Sequence, residues 1–133
     1  MAETFKAYIW VAIGSAVGGM SRFWVSRAVA ESVGEKFPWG TIVINITGSF
    51  LIALLGALTL PEGRLNTSRI LVTQFLMVGV CGGYTTFSSF SLQTLNLARE
   101  GQWFWAGGNI MISVVVCLIA CWLGFIVGQI LNK

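Results

Sequence analysis

The sequence predicts an all-α membrane protein with four transmembrane helices per subunit, and three observations carry that prediction. Hydrophobic residues make up 56 % of the 133 and charged residues only 10 %, where a soluble domain carries roughly 25 % charged residues. The apolar residues gather in four runs, each able to supply the roughly 20 residues that cross a bilayer. The connectors are short and hold most of the charge. The chain is therefore expected to form one integral membrane domain, 1–133, with spans at 7–29, 39–60, 70–98 and 105–131 and the third span broken near 82–87. A net charge of +3 from singly scattered basic residues gives no sign of a nucleic-acid surface or a polybasic lipid patch.

In the first span, Gly14, Gly18 and Gly19 make a small-residue face that lets a second helix approach closely. Arg22 lies near its far end and has two open readings. It snorkels to the interface, or it faces an aqueous vestibule and draws anions toward it. Lys6 and the sequence Ala28-Val29-Ala30 imitate a signal peptide. The apolar run is too long for one, Arg22 and Arg27 interrupt it, and three more spans follow.

Trp39 marks the interface where the second span begins. Thr41, Asn45 and Ser49 then recur every fourth residue and place an amide and two hydroxyls on one helix face. That stripe either bonds to another helix, at about 1 kcal/mol per bond, or lines a path. On the second reading Asn45 donates to a permeating anion without adding a charge that would trap it.

The third span holds Gly79-Val80-Cys81-Gly82-Gly83-Tyr84-Thr85-Thr86-Phe87-Ser88-Ser89-Phe90. Paired glycines weaken a helix, and a run of hydroxyl and β-branched residues competes for its backbone bonds. A break in mid-membrane is expected here. Backbone freed in lipid has to be satisfied internally. Its carbonyls can hold a cation, and its N–H groups and hydroxyls an anion. Phe87 and Phe90, three apart, share a face if a helix resumes; they are packing residues, or they present their electropositive edges to an anion. Trp103 and Trp105 open the fourth span, where Asn109, Ser113 and Cys117 form a second polar stripe that lines the same conduit or joins two helices. Cys81, Cys117 and Cys121 lie in apolar stretches of a chain without histidine and read as packing residues.

On a four-span topology, Lys6, Arg64, Arg69 and Lys133 fall on one side and Arg22, Arg27, Lys36 and Arg99 on the other. This balance gives the positive-inside rule nothing to act on. The expectation is a dual-topology antiparallel homodimer, each copy pairing with an inverted second copy about an axis in the membrane plane. The two breaks would meet at that axis, where main-chain oxygens suit a hard alkali cation.

Three motifs together carry a resemblance that covers the whole chain. Gly18-Gly19-Met20-Ser21-Arg22, Trp39-Gly40-Thr41 followed by Asn45 and Gly48, and Gly82-Gly83-Tyr84-Thr85-Thr86-Phe87-Ser88-Ser89-Phe90 resemble the signatures of the Fluc (CrcB-type) fluoride channels. The third is the most specific. The resemblance implies passive, fluoride-selective export that lowers cytoplasmic fluoride across the bacterial plasma (inner) membrane, through two antiparallel pores per homodimer. It implies a structural sodium ion at the dimer centre, held by main-chain carbonyls of Gly82 and Thr85 from each subunit. It also implies a fluoride pathway lined by Phe87, Phe90, Asn45, Ser88 and Ser113, with Arg22 at a vestibule. Ser89 stands where the family commonly has threonine, and Asn109 where some members carry tyrosine.

Other classes fit less well. A small multidrug exporter requires a carboxylate inside the membrane, whereas Glu3, Glu31, Glu35, Glu62 and Glu100 all fall outside or at the edge of a span. A packing scaffold accounts for Gly14 and Gly18 but leaves the third-span break without a purpose. An enzyme is not expected, because the chain offers neither histidine nor aspartate and no convincing nucleophile-base pair.

Overall fold

The computed structural model describes residues 2–133, and every regular element among them is helical. Helix α1 spans Ala2–Val33 and α2 spans Trp39–Leu58. A 3-10 turn at Asn66–Ser68 leads into the short α3 (Arg69–Leu71), which continues as a π-helix over Val72–Cys81. Helices α4 (Gly82–Tyr84) and α5 (Phe87–Arg99) follow, and α6 runs over Trp103–Asn132.

Among the described residues, Trp39–Leu58, the run Asn66–Arg99 and Trp103–Asn132 are long and apolar enough to cross a membrane. The expected first span is helical but does not reach that level, because Ser15, Ser21, Arg22, Ser26 and Arg27 dilute its apolar residues. The outward face of α6 presents Phe104, Met111, Leu118 and Trp122, each more than half exposed. Lipid tolerates such a face and water does not.

Glycine pairs spaced by four set the helix packing. A Cβ on Gly14 would collide with Phe75 O, one on Gly18 with Val80 O, and one on Gly83 would lie 2.7 Å from Ser15 O. Residue numbers rise together across this seam, so α1 runs parallel to the third run with the two backbones nearly touching. The pair Gly124 and Gly128 does the same for α6 against α2. A Cβ on Gly124 would strike Phe50 O, and one on Gly128 would lie 2.5 Å from the Ala57 Cβ. Small residues at a helix seam trade side-chain bulk for backbone proximity, which suits lipid because no hydrophobic drive pulls helices together there.

The ends are tied as well. Gly34 and Gly101 have φ of 83° and 76°, the left-handed conformation that stops a helix at little steric cost to glycine. Phe37 plugs the end near the first connector, with its ring centroid 4.9 Å from Trp39 and 5.4 Å from Trp105. It joins Ile42, Leu97 and Ala106 in a buried cluster.

The third run departs from its expectation in two ways. Its first half is π-wound rather than α-helical, and Gly82 and Gly83 stay helical. The glycine doublet serves the approach of α1 instead of unwinding the chain.

Candidate functional site

The helix stops at the two threonines. Thr85 (φ −77°, ψ 159°) and Thr86 (φ −153°, ψ 112°) are extended, a conformation that suits β-branched side chains. Every polar backbone group they free has to find a partner. The Thr85 N–H and hydroxyl both donate to Cys81 O, each at 2.9 Å. The Thr86 N–H donates to Asn45 Oδ1 at 2.8 Å, and Thr86 O accepts from Asn45 Nδ2 at 3.1 Å. One carboxamide thus pairs with Thr86 as a neighbouring strand would. The Thr86 hydroxyl caps α5 by accepting from the Ser89 N–H at 3.2 Å, the usual role of threonine ahead of a helix.

These reassignments release two carbonyls. In an α-helix Gly82 O would pair with the Thr86 N–H, and Thr85 O with the Ser89 N–H. The first donor is taken by Asn45 and the second by the Thr86 hydroxyl. Thr85 O instead accepts from the Arg22 guanidinium at 3.3 Å.

Beside the break lies an open cavity of about 410 Å³ bordered by α2, α5 and α6, with Asn45, Ser49, Thr85, Thr86, Phe87, Phe90 and Ser113 among its lining residues. Phe90 is buried and Phe87 is 77 % exposed at the mouth. Their ring centroids are 5.3 Å apart and their planes meet at 51°. Beyond the rings the polar interior continues. The Ser113 hydroxyl donates to Asn109 Oδ1 at 3.3 Å, Asn109 Nδ2 donates to Thr94 Oγ1 at 2.8 Å, and Thr94 Oγ1 donates to Phe90 O at 2.7 Å. Gln93 Oε1, on the next turn of α5, is buried without a hydrogen-bond partner.

Of the residues singled out from the sequence, Asn45, Phe87, Phe90, Ser113 and Thr85 come together on the cavity wall. Ser88 does not line it; it is exposed, with its hydroxyl 3.2 Å from Thr86 Oγ1. Arg22 and Gly82 also stand outside the lining, although Arg22 reaches the break through Thr85 O. Thr86 was not foreseen as a site residue, yet it bears the clamp and the cap. Its signal was readable, a threonine immediately ahead of Phe87, the first apolar residue of an amphipathic helix. Thr94 gave no such signal, because its partner Asn109 is 15 positions away.

The chemistry of the cavity favours an anion. No acidic side chain lines it. The N-terminus of α5 opens beside it and carries the positive end of the helix dipole, and aromatic edges are electropositive.

Apolar helices bordering a partly polar, acid-free cavity beside a break define a small helical membrane protein. The chain belongs to the CrcB-like protein family (Camphor Resistance, CrcB), whose model matches residues 9–125. It is 56 % identical over 129 residues to the fluoride-specific ion channel FluC of Methylocella silvestris, covering 95 % of each chain. Identity to proteins of the same name is 53 % over 126 residues in Rhodospirillum rubrum, covering 95 % of this chain and 97 % of that one. It is 53 % over 129 residues in Opitutus terrae, covering 95 % of each. The family is one of ion channels, not of enzymes.

Proposed function

We propose that the chain forms a fluoride-selective channel that passively exports fluoride and so lowers its cytoplasmic concentration. The cavity beside the break is the observation that carries this reading: two phenylalanines at the head of α5, with Asn45 and Ser113 on facing walls. Fluoride is small and strongly hydrated, so a selective path replaces its water with close donors yet holds the ion weakly enough for exit. The ring edges of Phe87 and Phe90 supply one set of contacts. Asn45 spends one amide hydrogen on Thr86 O and keeps a second for the ion. Ser113 extends the polar track inside the cavity, Ser88 adds a hydroxyl beside Thr86 outside its lining, and Arg22 draws anions toward a vestibule.

The functional unit is a dual-topology antiparallel homodimer in the bacterial plasma (inner) membrane. Each subunit crosses the bilayer four times as a single membrane domain, with the third helix broken in mid-membrane. Two antiparallel pores run through the dimer. The balanced basic residues on the two sides of the chain support insertion in both orientations. A structural sodium ion at the dimer centre fits the donors present, since Gly82 O and Thr85 O are both released from helical pairing. Carbonyl oxygens suit a hard alkali ion, and a bound ion would tie the two breaks together.

The test is fluoride release from liposomes holding purified protein, started with a potassium ionophore and read by fluoride and chloride electrodes. Rapid fluoride release without chloride release is expected. Phe87→Ile should slow it far more than it alters assembly, and unchanged flux in that variant would take the ring out of the path.

A further inference from the structure

We propose that the cavity wall carries a two-sulfur site for soft, two-coordinate cations, formed by Cys117 and Cys121. The two residues lie four apart on α6, so they sit one above the other on the same face, with Cβ atoms roughly 5–6 Å apart. Both line the cavity beside Ser113 and Leu118. Both are free thiols and only partly buried. Leu118 and Val114 lie between and beside them on the same helix and also line the cavity, so the two thiols stand at its edge toward the outward face of α6.

The class of ion follows from what the site lacks. The cavity offers no carboxylate and no imidazole, and among the described residues no group of three or more histidine, cysteine or acidic side chains could hold a metal. A four-coordinate zinc-type centre is therefore not available. Two thiols on one helix face suit a soft cation that binds two sulfurs in a line, as Hg²⁺ does. Each S–H bond breaks and its proton passes to water. Two S–Hg bonds form, and the oxidation state of the metal does not change. The third cysteine, Cys81, is buried and does not line this cavity.

If the cavity is the fluoride path, on which the functional part of the inference rests, a mercury ion bridging the two sulfurs obstructs it from within. The experiment uses the intact protein in chloride-free liposomes, with mercuric nitrate as the probe and protein-free vesicles as the leak control. Fluoride release by the unsubstituted chain should fall to the control level and recover with dithiothreitol. Cys81→Ser should remain sensitive. The double variant Cys117→Ser, Cys121→Ser should keep its own metal-free rate. In parallel, the mass of the denatured chain should show one mercury on a single chain and the loss of two titratable thiols, both absent from the double variant. Equal inhibition of the double variant, mercury that remains on it, or mercury joining two chains would each overturn the site. If the protein releases no fluoride even without metal, the conduit reading fails, while the mercury count still decides the two-sulfur site.

Discussion

At the residue scale the molecule turns on Asn45. Its carboxamide bonds to both the main-chain N–H and the carbonyl of Thr86, and Thr86 is 7 % exposed. Asn45→Ala would strand the buried Thr86 N–H, at a cost of about 1–3 kcal/mol, and would remove a donor from the Thr86 carbonyl. Fluoride flux should be lost and the thermal transition, followed by tryptophan fluorescence, should fall. Thr86→Val removes the α5 cap and should cost about 1 kcal/mol while leaving the Asn45 clamp in place, so its melting shift should be the smaller of the two. The sequence marked Asn45 well, because an amide in a membrane helix is conspicuous. It did not reveal that much of its bonding goes to main chain 41 positions away. Backbone partners leave no trace in side-chain pattern.

At the element scale the glycine seams matter most. The doublet Gly82-Gly83 looks like a helix breaker, and propensity alone supports that view. Tertiary packing overrides it. Gly83 lies against Ser15 in α1 and stays helical, while the helix ends at the threonines instead. Gly83→Ala should therefore cost on the order of 1–3 kcal/mol by overpacking, read as a lower melting temperature and an earlier, broader gel-filtration peak. Gly107→Ala, whose new methyl meets nothing within 4 Å, should be neutral or slightly stabilising. Gly101→Ala forces φ of 76° on alanine and should cost about 1 kcal/mol or more. The π-winding of Val72–Cys81 was not legible at all, because spacings of three, four and five residues are hard to separate in a run whose only polar side chains, Thr73 and Gln74, are adjacent. The gap between Gly14 and Gly18, by contrast, announced its seam directly.

At the scale of the whole molecule, hydropathy located all four long helical runs to within a few residues, except that α1 begins well ahead of its expected start. The partner arrangement is legible only through charge balance, and its test belongs at this scale. A cysteine added at the amino terminus of a Cys81→Ser, Cys117→Ser, Cys121→Ser background should be labelled by an impermeant maleimide from both faces of the membrane. Labelling from one face in every copy would rule out inverted pairing. Replacing sodium by a large organic cation should likewise reduce flux and lower the melting temperature, if an ion joins the two breaks.

The clasp at the break has one more consequence. Its core is the Asn45 amide and two threonine hydroxyls, and groups of these kinds neither gain nor lose a proton across the range that living cells encounter. Acidification therefore has no handle on this joint. Any response of transport to acid would then report the chemistry of the halide, which itself takes up a proton, and not a rearrangement of the protein around it.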